Sequence, residues 1–552
     1  MRILPFSLIF CLLIWCISRC LFFLPDGSIA TDFPGVWGDW SLHAAHSWWF
    51  AEQPFTRWLD PRILRFDESF AYPPLINFIS GMLLRSGLGF QPSMIIPCIF
   101  FAGIFGVFLN LLFRRAGASP WSASVLSAAF VLAGGTRTIA AMVIWSVHGA
   151  GFGVDVDGDA HHAANFMDHL FQAASEGINS GSLSQVWLTP LFSMILPQRT
   201  FLAGIAVGCA SLLVVLQTDR RSLRFSLPVA SGRLLVLLPL LALAHVYSWL
   251  VLILVVVVVA LSDVLRSRPA PINAFRHWLI FAGPGIIASL LVIWIIMPGI
   301  GSKTSGMDWS PGWMASETGQ GIFLFWIVNW SVFLPLVLIA ASVSSEFRRD
   351  PCFLSGALIF VAMNVIKLQP WSWDNSKFLV WALLLLALPL VRFFSQIKFR
   401  TMAVVALLMM CIDGITSIAG SLVAPKPPLV LWTSGEQVIA AWARKTLPLD
   451  AIILSPSHQD HKYWAFALTG RRNVQAYGGW IWTHGFSAEP LQSRATLMLE
   501  HPTASLEAMR GLGITHVAVP ENGGSIQIGF LELKKTFKPV ISFENQSVFA
   551  VP

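Results

Sequence analysis

Residues 245–276 read HVYSWLVLILVVVVVALSDVLRSRPAPINAFR. Residues 246–264 of this stretch are almost wholly apolar, and a basic cluster follows at once. A helix needs roughly 17–25 apolar residues to cross a bilayer, and lysine and arginine collect in its cytoplasmic loops. The stretch therefore reads as a membrane span leaving the bilayer on its cytoplasmic side. Working outward, similar runs occur near 4–24, 93–113, 121–135, 199–217, 230–244, 278–297, 321–342, 352–368, 377–396 and 401–423. With 246–264 they make eleven spans, of which the third and fifth are short.

The rest of the basic residues test that count. Arg114-Arg115, DRRSLR at 219–224, RSRPAPINAFR at 266–276, EFRRD at 346–350 and RFFSQIKFR at 392–400 all fall on one side. That side is cytoplasmic if the N-terminus is. Counting YPPLINFISGMLLRSG (72–87) as a further span would move Arg114-Arg115 outside. That segment is expected to be a juxtamembrane helix, entered through Tyr72-Pro73-Pro74. The N-terminal MRILPFSLIFCLLIWCISRCLFFL resembles a signal peptide in its basic start but shows no clear small-residue cleavage site, so it reads as a retained span.

Composition agrees. The 552 residues are 55% hydrophobic and 12% charged, with a mean hydropathy of +0.67 and 24 tryptophans. Soluble domains carry about twice that charged fraction. The net charge of +7 sits largely in short loops and acts as a topology signal, so nucleic acid is not an expected partner. The seven cysteines lie in or beside apolar runs, with no disulfide framework or zinc spacing.

The expected fold is mostly α: a polytopic helical bundle over 1–424 with outer loops at 25–92, 136–198, 298–320 and 369–377. A small α/β domain of about 125 residues follows at 425–552. In it AIILSP (451–456), THVAVP (515–520), PVISFE (539–544) and SVFAVP (547–552) read as strands, and ASLEAMRGLG (504–513) as a helix.

The unusual polar residues gather on the outer side. In GVWGDWSLHAAHSWWFAEQP (35–54), Asp39, His43 and His46 share one helical stripe, with Leu42, Ala45 and Trp49 opposite. Asp39 reads either as a helix N-cap or as a carboxylate that deprotonates an acceptor hydroxyl. His43 and His46 read as donors supporting it, as metal ligands, or as ordinary interfacial polar residues. The second outer loop carries Asp155, Asp157 and Asp159 with His161 and His162. Phe166 stands where an EF-hand needs its twelfth-position glutamate, which excludes that loop. A divalent cation and a solvated acidic loop both remain open. Arg199 in LPQRT and Lys377 in WSWDNSK begin spans and suit a lipid phosphate. Asp374, Asn375 and His245 accompany them.

These features together resemble the GT-C superfamily of polytopic glycosyltransferases. The likeness rests on Gly38-Asp39-Trp40 just after the first span, the Tyr-Pro-Pro-Leu helix, and a soluble domain after the last span. DWSLH, YPPL, LPQRTF, QPWSWDNSK and TGRRNVQAYGGWIWTHG are similar to segments of bacterial members. The resemblance implies transfer of a sugar from a polyprenyl-phosphate donor to a glycan, lipid or protein acceptor at the outer face of a bacterial cytoplasmic membrane. Inversion is expected. It implies Asp39 as the general base, and Asp155 and Asp157 as the nearest match to an acidic pair that binds Mg or Mn in some relatives. A transporter or lipid flippase, and a catalytically silent scaffold on the same fold, are the alternatives. A transporter should show internal repeats and mid-membrane charges, neither of which is visible.

Overall fold

A computed structural model of the chain describes residues 4–136, 138–139, 142, 153–154, 160–161, 189–217, 223–267, 270–298, 307–317, 319, 321–396, 400–423, 427–521 and 526–552. The helices, in chain order, are α1 Leu4–Ser18, α2 Pro34–Glu52, α3 Leu75–Arg85, α4 Phe90–Arg115 and α5 Pro120–Leu132. Then come α6 Arg199–Gln217, α7 Leu223–Ala244, α8 Val246–Arg266, α9 Pro271–Ile296, α10 Ile322–Trp330 and α11 Phe333–Val343. They are followed by α12 Pro351–Val365, α13 Ser376–Gln396 and α14 Arg400–Val423.

The protein is a multi-pass membrane protein. Among the described residues six helices are long and apolar enough to cross a bilayer: α4, α6, α8, α9, α13 and α14. The expected span at 321–342 is not one straight helix. α10 and α11 bend by 106° at a break where Ser331 takes φ 50°. Counted as one broken span, the pair brings the number to seven. The expected spans at 4–24, 121–135 and 352–368 are helices of 15, 13 and 15 residues. Each is shorter than the roughly 20 residues a straight crossing needs. Residues 72–87 form α3, an 11-residue helix entered through Pro74.

The chain divides into two compact units. The first comprises Met1–Cys16, Ile99–Val292 and Gly306–Pro427. α6 is its central helix, with 89% of its apolar window buried, against 22% for α9 and α14, whose apolar faces are left for lipid. Close approach needs small residues. A Cβ on Gly204 of α6 would lie 2.3 Å from the His245 Cβ, and one on Gly208 would lie 2.5 Å from the Trp381 ring. Without a hydrophobic drive between helices in lipid, such contacts carry the packing.

The second unit comprises Ile17–Cys98, Ile293–Ser305 and Pro428–Pro552. It joins the first outer loop to the C-terminal region. β1 (Phe22–Phe23), β2 (Ile29–Thr31) and β3 (Leu429–Trp432) form an antiparallel sheet in which Ala30 faces Val430. The four expected C-terminal strands appear as β4 (Ile452–Leu454), β6 (His516–Pro520), β7 (Pro539–Phe543) and β8 (Gln546–Ala550). With β5 (Arg472–Asn473) they form one sheet in the order β7-β8-β6-β4-β5, parallel across β6-β4-β5. The expected helix at 504–513 is α18 (Leu506–Gly511), after α15 (Ser434–Thr446), α16 (Gly478–Thr483) and α17 (Leu491–Glu500), and α19 (Ile526–Thr536) follows it. Leu454, Val517, Val519, Met498, Leu499, Phe530 and Phe549 fill the core between sheet and helices.

α2 is built into this unit at both ends. His461 Nε2 donates to the Trp37 carbonyl at 3.1 Å. Arg471, 2% exposed, bonds Glu52 Oε2 at 3.3 Å and the carbonyls of Arg444, Leu447 and Thr469. Gly470, at φ +63°, brings the backbone against Trp48; a Cβ there would sit 2.6 Å from the Trp48 carbonyl oxygen.

Candidate functional site

α2 starts earlier than the acid–histidine stripe. Phe33 is the N-cap and Pro34 the first helical residue, the position where proline's missing N–H costs nothing. Asp39 therefore stands inside the helix, and its reading as an N-cap is overturned. It is partly exposed, whereas His43 and His46 are buried at 3% and 1%.

Both histidines turn toward α3. The Asn77 amide stands 3.2 Å from His43 Nδ1 and 3.3 Å from His46 Nδ1. Its two N–H groups supply one donor to each ring. Each Nδ1 then accepts, and each proton sits on Nε2. Burial pushes the His46 pKa down to about 3, so that ring stays neutral. Gly81 makes the approach of the two helices possible: a Cβ there would lie 2.6 Å from the Phe50 Cβ and 2.7 Å from the Ser47 carbonyl oxygen. Tyr72 lies 6.1 and 6.0 Å from the two imidazoles, stacks on Phe70 at 5.2 Å, and lies 5.8 Å from His484. The result is a half-open carboxylate on a helix whose neighbouring polar groups are fixed in tautomer and place. Such an acid can take a proton from a hydroxyl.

The other expected residues lie in the first unit, at the N-terminal ends of α6, α8 and α13. Phe201 packs on His245 at 5.3 Å, and Tyr247 packs on Phe378 at 5.1 Å. These contacts bring the three helix starts together. His245 caps α8: its Nδ1 accepts from the Ser248 N–H at 3.1 Å and lies 2.9 Å from Ser248 Oγ. Trp381 Nε1 donates to the same Oγ at 3.0 Å. Lys377, 6% exposed, bonds Asp374 Oδ1 at 2.7 Å, with Nζ 5.7 Å from the Tyr247 ring. Arg199 begins α6 and is fully buried. Two cations and three positive helix ends thus share one polar cluster in an apolar bundle. Asn375 spends its amide on the loop: Oδ1 accepts from Leu368 and Gln369, and Nδ2 donates to the carbonyls of Gln369 and Trp371. It shapes the turn that positions Asp374 and Lys377.

Asp155, Asp157, Asp159 and His162 lie outside the described residues, as does the His161 side chain. The flanking Gly153–Val154 and Ala160–His161 pair as a short antiparallel ladder. Among the described residues no cluster of histidine, cysteine, aspartate or glutamate is arranged to hold a metal.

Sequence reading missed the part played here by Asn77 and Tyr72, both in the 72–87 segment, and by His484 from the C-terminal region. It also missed Asp413 in α14, buried and accepting from the Thr138 N–H at 2.8 Å. That residue carried a signal, since an acid within a span is rare.

No protein-family model and no curated protein matches the chain. Among solved structures it is similar to the archaeal oligosaccharyltransferase AglB from Archaeoglobus fulgidus, held there with an inhibitory peptide and a dolichol-phosphate. The identity is 12% and the TM-score 0.44, over 98% of this chain and 74% of that one.

Proposed function

We propose that the protein is a membrane glycosyltransferase that moves a sugar from a polyprenyl-phosphate donor to an acceptor hydroxyl at the outer face. The observation that carries the reading is the buried cluster of Arg199, Lys377 and His245 at three converging helix starts. Lys377 already meets an anion in Asp374, and a phosphate oxyanion can take the place of that carboxylate. A phosphate on an apolar chain satisfies both the cluster and its lipid surroundings.

The GT-C resemblance implies Asp39 as the base that takes the acceptor's proton. Arg199 and Lys377 hold the phosphate as the bond from the anomeric carbon to the phosphate oxygen breaks, and the acceptor atom bonds to that carbon. A single displacement of this kind inverts the anomeric centre. The Asp374–Lys377 pair would open as the phosphate replaces the carboxylate. The GT-C resemblance of the sequence motifs supports the same reading.

Binding of polyprenyl phosphate to the purified protein tests it. Lys377→Ala and Arg199→Ala are expected to weaken binding about tenfold or more, the range for a lost charge-assisted contact, in variants checked for retained thermal stability. Binding by both variants at wild-type strength would remove the phosphate site and the reading with it.

A further inference from the structure

The loop after α2 reads FTRWLDPR (55–62), and its two arginines lie in the same unit as β5. Gln53 Nε2 donates to the carbonyls of Leu449 and Gly470, both at 2.8 Å. Arg57 Nη1 bonds Gln53 Oε1 at 3.2 Å and approaches the Leu449 carbonyl at 3.5 Å. This sets Arg57 at the head of β5, whose first residue is Arg472. Arg62 Nε donates to Asp60 Oδ2 at 2.9 Å. Arg57 and Arg62 both act on Arg472 electrostatically, against Asp60 and Asp450.

Arg472 differs from its neighbour. Arg471 spends its donors on Glu52 and three carbonyls. Among the described residues the Arg472 guanidinium makes no hydrogen bond or ion pair, and its Nε is shut away from water. A buried unpaired donor on a cation costs free energy, and like charges beside it add to the cost. Three guanidiniums against two carboxylates leave one positive charge in excess. Their planar donors match the oxygens of a phosphate.

We propose that Arg57, Arg62 and Arg472 form a binding site for a phosphate group. Phe55 and Leu59, exposed at 74% and 51%, flank Arg57 in the same loop and suit a ligand or surface with an apolar part. The phosphate could be supplied by an anionic lipid headgroup or by a soluble ion. The site is argued from this unit alone and does not rest on the transferase reading.

The test uses the full chain in phosphatidylcholine nanodiscs. One arm titrates inorganic phosphate and pyrophosphate by calorimetry. The other adds phosphatidylglycerol to the disc and follows thermal unfolding. Wild type is expected to respond in at least one arm, and the responding arm identifies the source. Arg472→Gln and Arg62→Gln should each weaken the response about tenfold or more. Without phosphate, Arg472→Gln should keep or raise the Tm, because it removes an unpaired charge; a purely structural arginine would lower it. No response in either arm, a wild-type response in both variants, or a lower Tm for Arg472→Gln overturns the site.

Discussion

Asp39 lies five residues beyond Pro34, within a formed helix, where aspartate and asparagine have similar propensities. Asp39→Asn therefore leaves α2 intact and removes only the charge and the basicity. Transfer from a polyprenyl-phosphate sugar is expected to fall about 100-fold or more at unchanged Tm. Wild-type transfer by the variant would show that Asp39 is not the base. His46 yields a second prediction at this scale. Its folded pKa, about 3, is below the ordinary 6.5 of the unfolded chain. The unfolded state therefore binds the proton first as pH drops. His46's contribution is fully present above about pH 6.5 and is lost as pH falls toward 3, by up to about 1.4 kcal/mol per pH unit. Thermal melts from pH 7 to 4 should show that slope, and His46→Gln should flatten it. The helical period of 3.6 made the shared face of residues 39, 43 and 46 legible in the sequence. Asn77 was not legible, because a partner 31 residues away from His46 leaves no periodic trace. The early start of α2 did have a cue, proline at the first helical position.

At the scale of elements, α6 depends on what it lacks. Gly204 leaves room for the His245 cap, and a methyl placed there would overlap the His245 Cβ at 2.3 Å. Gly204→Ala should lower stability by about 1–3 kcal/mol, the usual cost of overpacking, and should loosen the start of α8. A thermal-unfolding comparison with Gly283→Ala, whose added Cβ meets nothing closer than 3.7 Å, isolates the effect. An unchanged melt for Gly204→Ala would mean that α6 and α8 part at little cost. Apolar runs made the helices visible, and β-branched or aromatic runs revealed four strands of the C-terminal sheet. The α10–α11 bend had a cue that the span reading passed over: Pro335, in the first turn of α11, cannot bond the Ser331 carbonyl four residues back, where the break falls. β1, β2 and β5 escaped because two or three residues show no alternation.

For the whole molecule, we propose the sidedness that the eleven-span sequence reading implies, with the five basic clusters on the cytoplasmic face; among the described residues six helices, or seven with the broken pair, are long and apolar enough to cross. Ser487 is exposed in the segment between α16 and α17. With Cys11, exposed in the structure, replaced by serine, Ser487→Cys should react with an impermeant maleimide in intact cells. Reaction only after the membrane is breached would reverse the orientation and place the C-terminal region in the cytoplasm.

The sheet that joins β2 to β3 has a consequence for biosynthesis. Ala30 and Val430 are partners across about 400 residues of chain. At roughly 5–20 residues per second, the ribosome delivers β3 about 20–80 s after β2. During that interval the β1–β2 hairpin waits with an open edge while one span after another is inserted. An open strand edge is a template for wrong pairing, so the nascent protein has a defined window in which a holdase or a neighbouring chain can capture it. A stop codon between residues 31 and 429 would make that window permanent.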